Sequence, residues 1–285
     1  MCIRDRATGL RQLEIYNTVF RMERNRRDGT RDGVLICGAY GFGNTGDDAI
    51  LQAIIGEMRR IDAHMPVTVL SRRPKDTQRA FGVNACHRFG VFAIRRVMRR
   101  SQLFISGGGS LMQDVTSRLS LWYYLSTIRM AHGCGCKVQM YGCGIGPIVY
   151  ARDKKLAAHV INTRVDKITL REPDSRETLR EFGVTAPEVI LASDPALTLP
   201  AAEHSRIDSI LRAHDMDIGG KYIGFVLRKW PGMEEKATVF AAGAVYAYLK
   251  YGLTPVFLGI NFRADGEAGP VSYTHLRAHE TSLHL

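Results

Sequence analysis

The sequence has no apolar run near the about 20 residues that a membrane-spanning helix needs. Cysteine and tryptophan are sparse, 6 and 2 in 285 residues, so nothing in it reads as a disulfide scaffold. Without a secretory pattern, that cysteine usage fits a reducing cytoplasm. No Gly-Lys-Ser/Thr ends a glycine-rich loop, which argues against a P-loop nucleotide hydrolase. HExxH and a Ser-His-Asp ordering are also missing, so hydrolysis has no advocate. His132, Cys134, Cys136 and Cys143 cluster, but not at zinc-ribbon spacing. They read as small buried side chains beside strands, with no metal or cofactor assigned.

Acidic residues are outnumbered, 28 against 39 Lys and Arg, for a formal charge of +11. Hydrophobic residues make up 45% and charged residues 24%, which describes a globular chain with a sizeable core. The basic balance leaves phosphorylated metabolites, an anionic membrane surface or nucleic acid as partners. Nucleic acid is set aside, because the basic runs lack interleaved aromatics and no known module is present.

Both ends read as foreign to the fold. Residues 1–31 form a basic leader with eight Arg and four acids, little apolar periodicity and no h-region. Residues 1–6 and 271–285 resemble translated sequencing-adapter read-through at the edge of an assembled contig. On that reading the natural protein is expected to continue beyond residue 270. The basic balance does not depend on them. The first holds two Arg and one Asp, the second one Arg and one Glu, and without both the charge is +10.

Between these ends strand and helix alternate. Strands are expected at 34–37, 66–70, 103–106, 137–141, 167–170 and 189–192. Helices are expected at 47–61, 77–81, 94–100, 119–131, 152–165 and 173–182. Strands separated by helices imply βαβ units and a parallel sheet covered on both faces. The expectation is an α/β, Rossmann-like domain over 32–199, with a linker near 199–202. A second Rossmann-like domain follows over 203–265, with helices at 205–214 and 234–251 and strands at 222–227 and 254–258. Two strands are few for a sheet, so this domain reads as cut short.

Ligands of open parallel sheets bind at the carboxyl ends of the strands. Gly41-Phe42-Gly43-Asn44-Thr45-Gly46 follows the first strand and fits G-x-G-x-x-G. With Arg72 and Arg73 ending the second strand, an NADP-dependent oxidoreductase is one reading. Asp47 and Asp48 oppose it, because a pyrophosphate would meet two carboxylates at that helix start. They suit the helix dipole, and Asp47 reads as a cap, leaving Asn44 to face a smaller ligand. Gly107-Gly108-Gly109-Ser110 is expected as a loop that lets a backbone approach a ligand or form an anion nest, with Gln113, Asp114 and Ser117 just beyond. A third glycine-rich loop is expected at 142–147. Arg171 ends a strand and could clamp a carboxylate or phosphate, or simply pair with Glu172 or Asp174. Arg228 ends another strand. Two such arginines suit a small doubly anionic substrate.

Tyr40 through Leu51 (YGFGNTGDDAIL), Ser106 through Ser117 (SGGGSLMQDVTS), Gly144-Ile145-Gly146-Pro147, Ile168 through Glu172 and Asp194-Pro195-Ala196 occur in order. Together they resemble the polysaccharide pyruvyl transferases, most of all the CsaB type, from about 34 to 258. The resemblance implies a GT-B-like fold and transfer of the enolpyruvyl unit of phosphoenolpyruvate to a sugar. The product is a pyruvate ketal, and phosphate is released. For the CsaB type it implies a ManNAc residue of a lipid-linked cell-wall precursor and a product that anchors S-layer proteins. It implies that Arg171 and Arg228 hold the donor, and that Asn44 and Gly107, Gly108, Gly109 and Ser110 line the cleft. A nucleotide-sugar glycosyltransferase of the same fold is the other alternative.

There are departures. Arg171-Glu172 stands where the family often has Arg-Asp, and Val226-Leu227-Arg228 where it often has Ser-x-Arg. The later Arg-Leu-His motif, thought to supply the acid, has no counterpart. The 285-residue chain is therefore expected to be inactive or unstable. Protonation of the enol demands such an acid, and arginines to offset the donor's charge, but no metal. Arg95, Arg96, Arg99 and Arg100 form a basic face that could dock at an anionic leaflet, or simply be solvated.

Overall fold

The computed structural model describes residues 31–227 and 233–260, the side chains of 233–235 excepted. Two compact units emerge. One comprises the chain to Phe42 with Gly46–Leu199; the other comprises Gly43–Thr45 with the chain from Pro200.

In the first unit, strands β1 (Gly33–Cys37), β2 (Val67–Ser71), β3 (Asn84–His87), β4 (Ser101–Met112), β5 (Lys137–Ile145), β6 (Lys167–Leu170) and β7 (Glu188–Leu191) form one sheet. Its order is β3-β2-β1-β4-β5-β6-β7, every pairing parallel. The order reverses between β1 and β4, the point at which such sheets open a crevice. The connecting helices are α1 (Thr45–Ile61), α2 (Pro74–Phe81), α3 (Val91–Arg100), α4 (Arg118–Gly133), α5 (Ala151–Arg164) and α6 (Pro173–Glu181).

Helix α1 shows why the layers hold. Ile50, Leu51, Ala53, Ile54, Ile55 and Met58 are buried on one stripe, and Asp47 and Asp48 meet the positive helix start. Each fully buried Leu or Ile contributes about 1.5–3 kcal/mol. Two apolar clusters lie on the sheet: one gathers β1, β2 and β4 residues with α1, and the other involves α3, α4, α5 and α6.

Three differences from the sequence reading matter. β3 is unexpected there: Asn-Ala-Cys-His is a short sheet-edge strand with exposed ends and no apolar signature. α2 starts at Pro74, which takes the first-turn position a proline favours. Most important, β4 and β5 do not end where their glycines begin. Gly107 pairs with Tyr141, Gly109 with Cys143 and Met112 with Ile145, with a register shift after Gly109.

In the second unit, β8 (Tyr222–Leu227) and β9 (Thr254–Gly259) pair in parallel, with helices α7 (His204–Ala213) and α8 (Met233–Tyr251). Ala241 and Ala244 pack with Phe225, Val245 and Phe257, and the two phenylalanine rings stack at 5.4 Å. Val226, Val239, Leu249 and Leu258 are exposed. Among the described residues, no helix is long and apolar enough to cross a membrane.

Candidate functional site

The three glycines at the end of β4 are shaped first by α1. A methyl group on Gly107 would lie 2.7 Å from Ile54 Cδ1, and one on Gly108 2.2 Å from Ile50 Cγ2. Gly108 and Gly109 also take positive φ, +72° each. The expected glycine loop is thus a bulged strand on which a helix sits at close range, which explains why more than one glycine is needed. Gly109 faces a different neighbour: the same methyl would lie 3.2 Å from Asp47 Oδ1. Asp47 is in the first turn of α1 rather than capping it, and Asn44 is the residue just before the helix. Burial raises the neighbouring Asp48 carboxyl above its usual value.

Beyond the glycines, side chains converge. A methyl on Gly144 of β5 would meet Glu172 Oε1 at 2.6 Å, Ser110 Oγ at 2.8 Å and Arg171 Nε at 3.4 Å. A hydroxyl, a carboxylate and a guanidinium therefore meet above a backbone position without a side chain. They come from the carboxyl ends of β4 and β6, on either side of β5. The guanidinium and the carboxylate are anchored from behind. Arg171 Nη1 donates to Asp194 Oδ2 at 2.7 Å, and Ala196 N donates to Asp194 Oδ1 at 2.9 Å. Ser175 Oγ donates to Glu172 Oε1 at 2.9 Å while accepting from Ile145 N at 2.7 Å. The remainder of the Asp194-Pro195 turn is seated against β5, since a methyl on Gly142 would strike Pro195 Cγ at 2.3 Å.

The partner of Arg171 is thus Asp194, not Glu172 or Asp174. Glu172 is engaged by Ser175, and Asp174 stands in the first turn of α6. Arg171 and Asp194 both remain partly exposed, so the fork keeps further N–H groups for a ligand. The cluster offers donors and an acceptor side by side, as a polyhydroxylated or oxyanionic group requires.

Other candidates prove to be scaffolding. Asp114 is buried and accepts from Val149 N (2.8 Å) and Tyr150 N (3.1 Å), fixing the entry to α5. Ser117 caps α4 by accepting from Ser120 N at 3.3 Å. Gln113 is tied to Thr116 by two hydrogen bonds of 3.0 Å. Burial pushes the Cys143 thiol up to about 12 and the Cys136 thiol up to about 11, and both point at backbone carbonyls. Arg228 lies outside the described residues. Glu172, Ser175 and Asp194 are not among the site residues expected from the sequence, although Glu172 and Asp194 lie in two of its ordered motifs, Ile168 through Glu172 and Asp194-Pro195-Ala196.

A parallel α/β sheet with its polar groups at the strand ends, followed by a second βαβ unit, defines a Rossmann-like, GT-B-like protein. The known structures agree on the fold. Anabaena Alr3699/HepE in complex with UDP-glucose superposes with a TM-score of 0.53 at 10% identity, over 86% of this chain and 65% of that one. The same protein with UDP and glucose gives 0.52 at 9%, over 87% and 66%. The chain therefore spans just under two thirds of the length of the first of these structures. No curated protein matches the sequence. The profile of the polysaccharide pyruvyl transferase family matches residues 44–243, and the chain belongs to that family.

Proposed function

We propose that the protein is a ketal pyruvyl transferase that takes phosphoenolpyruvate as donor and a sugar of a cell-wall polysaccharide precursor as acceptor. ManNAc is the favoured sugar and S-layer anchoring the favoured role. The observation that carries this is the convergence of Ser110, Arg171 and Glu172 over Gly144, inside the stretch that matches the family. In the proposed reaction a proton reaches the enol methylene, two sugar hydroxyls add at the resulting oxocarbenium-like carbon, and phosphate leaves. Arg171 with Arg228 would offset the donor's charge, and Asn44 with 107–110 would line the cleft. The acid that delivers the proton is assigned to no residue of this chain.

Peripheral contact with the inner membrane surface belongs to the same reading, since the acceptor is lipid-linked. What supports it is helix α3. Phe92 is 91% exposed, and Arg95, Arg96 and Arg99 follow at helical spacing on the same outward stripe, opposite buried Ile94 and Met98. No acidic residue interrupts the helix.

The test is phosphate release from phosphoenolpyruvate with a ManNAc-containing acceptor, alongside donor binding by calorimetry. The expected result is saturable donor binding, weakened at least tenfold by Arg171→Lys. Absence of donor binding would sink the transferase reading itself. A product assay with a nucleotide sugar separates out the glycosyltransferase alternative.

A further inference from the structure

A second cationic feature lies in the first unit, at the carboxyl ends of β2 and β3. Arg88 directly follows β3. Its backbone is fixed from two sides: its N–H donates to Ser71 O at 3.1 Å, and Tyr123 Oη donates to its carbonyl at 3.1 Å. Its guanidinium carbon lies 4.2 Å from the Tyr123 ring centre, 5.2 Å from those of Phe42 and Phe89 and 5.9 Å from that of Tyr124. The residue is only 9% exposed. Among the described residues no carboxylate pairs with it, and its buried Nε has no hydrogen-bond acceptor. Ring faces recover only part of the hydration that a buried guanidinium gives up.

Arg72, exposed at the end of β2, stands 5.2 Å from the centre of the same Phe42 ring. Phe42 is held in place by Gly41. That residue has φ +76° and no room for a side chain, since a methyl there would lie 2.3 Å from Ser71 Oγ. Two guanidiniums thus flank one ring at a strand-end edge where ligands of such sheets bind, with no acid paired to either among the described residues. The forked geometry of arginine matches phosphate oxygens.

We infer that Arg88 and Arg72 form an oxyanion site that takes a phosphate of the acceptor's diphosphate, separate from the Arg171 cluster. This rests on the reading above that the acceptor is lipid-linked, and takes a diphosphate as the group that joins its sugar to the lipid. It completes the coordination of a buried cation with the one chemical group its surroundings lack.

The test is calorimetric titration of the full chain with inorganic pyrophosphate, with phosphoenolpyruvate titrated in parallel. Saturable pyrophosphate binding is expected, weakened at least tenfold by Arg72→Gln and by Arg88→Lys, which keeps the charge but loses the fork. Phosphoenolpyruvate affinity is expected to be unchanged in Arg72→Gln. If Arg88→Lys fails to fold, as circular dichroism would reveal, the exposed Arg72→Gln decides alone. No saturable binding by the wild type, or unaltered binding in Arg72→Gln, overturns the site. An equal loss of phosphoenolpyruvate affinity overturns its assignment to the acceptor. The readout needs no turnover, so a failed pyruvyl transfer assay leaves it standing.

Discussion

Glycine at position 108 and glycine at position 56 look alike in the sequence and do opposite things. Gly108 has positive φ and Ile50 within contact of any added methyl, so Gly108→Ala should cost roughly 2–4 kcal/mol. Gly56 lies in the interior of α1 with open space around it, so Gly56→Ala should gain about 0.5–1 kcal/mol. Urea denaturation of both variants checks the pair. Asp153 provides a pH-dependent case. Arg118 binds it through Nε at 2.7 Å and Nη2 at 3.3 Å, and Trp122 Nε1 donates at 3.0 Å. These hydrogen bonds, Arg118's foremost, hold the buried carboxyl below the ordinary aspartate range. A depressed folded-state value means stability that is present above the unfolded-state value and lost as pH falls through the folded-state value. Melting temperatures measured from pH 7 downward should therefore drop less steeply in Asp153→Asn, which should also melt lower than wild type at pH 7.

At the scale of elements, α3 is two-faced in an unusual sense. Its inward stripe, Ile94 and Met98, belongs to the core, while its outward stripe combines a bare phenylalanine with arginines. An exposed Phe92 gains nothing for the fold, so Phe92→Ser should leave the urea midpoint within error. On vesicles with 30 mol% anionic lipid, each Arg near the surface is worth about 1 kcal/mol, or about fivefold in partition. Arg95→Gln with Arg99→Gln should therefore lower co-sedimentation roughly 25-fold, and Phe92→Ser should weaken it further. Equal sedimentation of wild type and variants would remove the membrane role from α3. β4 teaches the converse lesson. Its apolar signal stops at Ile105, yet pairing with β5 carries it on to Met112, because backbone hydrogen bonds need no side chains.

Over the whole molecule, stability is unevenly shared. β1 and the centre of β4 are buried along their length within a seven-stranded sheet. The described core of the second unit is small, with alanines at its centre and Val226, Val239 and Leu249 exposed. Hydrogen exchange should thus be slowest in β1, β4 and β5 and at least tenfold faster in β8 and β9. Comparable protection in both sheets would show that the second unit draws stability from elsewhere.

The sequence by itself determined the alternation of strands and helices, the parallel sheet and the family. Those properties are written locally, in apolar periodicity and in ordered short motifs. Helix boundaries came within a few residues for the same reason, except where Pro74 and Val91 open helices before the apolar stripe begins. Only the tertiary structure decided what the motifs do. It turned the glycine run into a bulged strand beneath α1, and it paired Arg171 with Asp194, 23 residues away. It made Asp114 a brace for α5, and it enclosed Arg88 among four rings drawn from two loops and a helix. Side-chain partnerships depend on which strands the sheet makes neighbours, and that order arises when the helices pack across both faces, not along the chain.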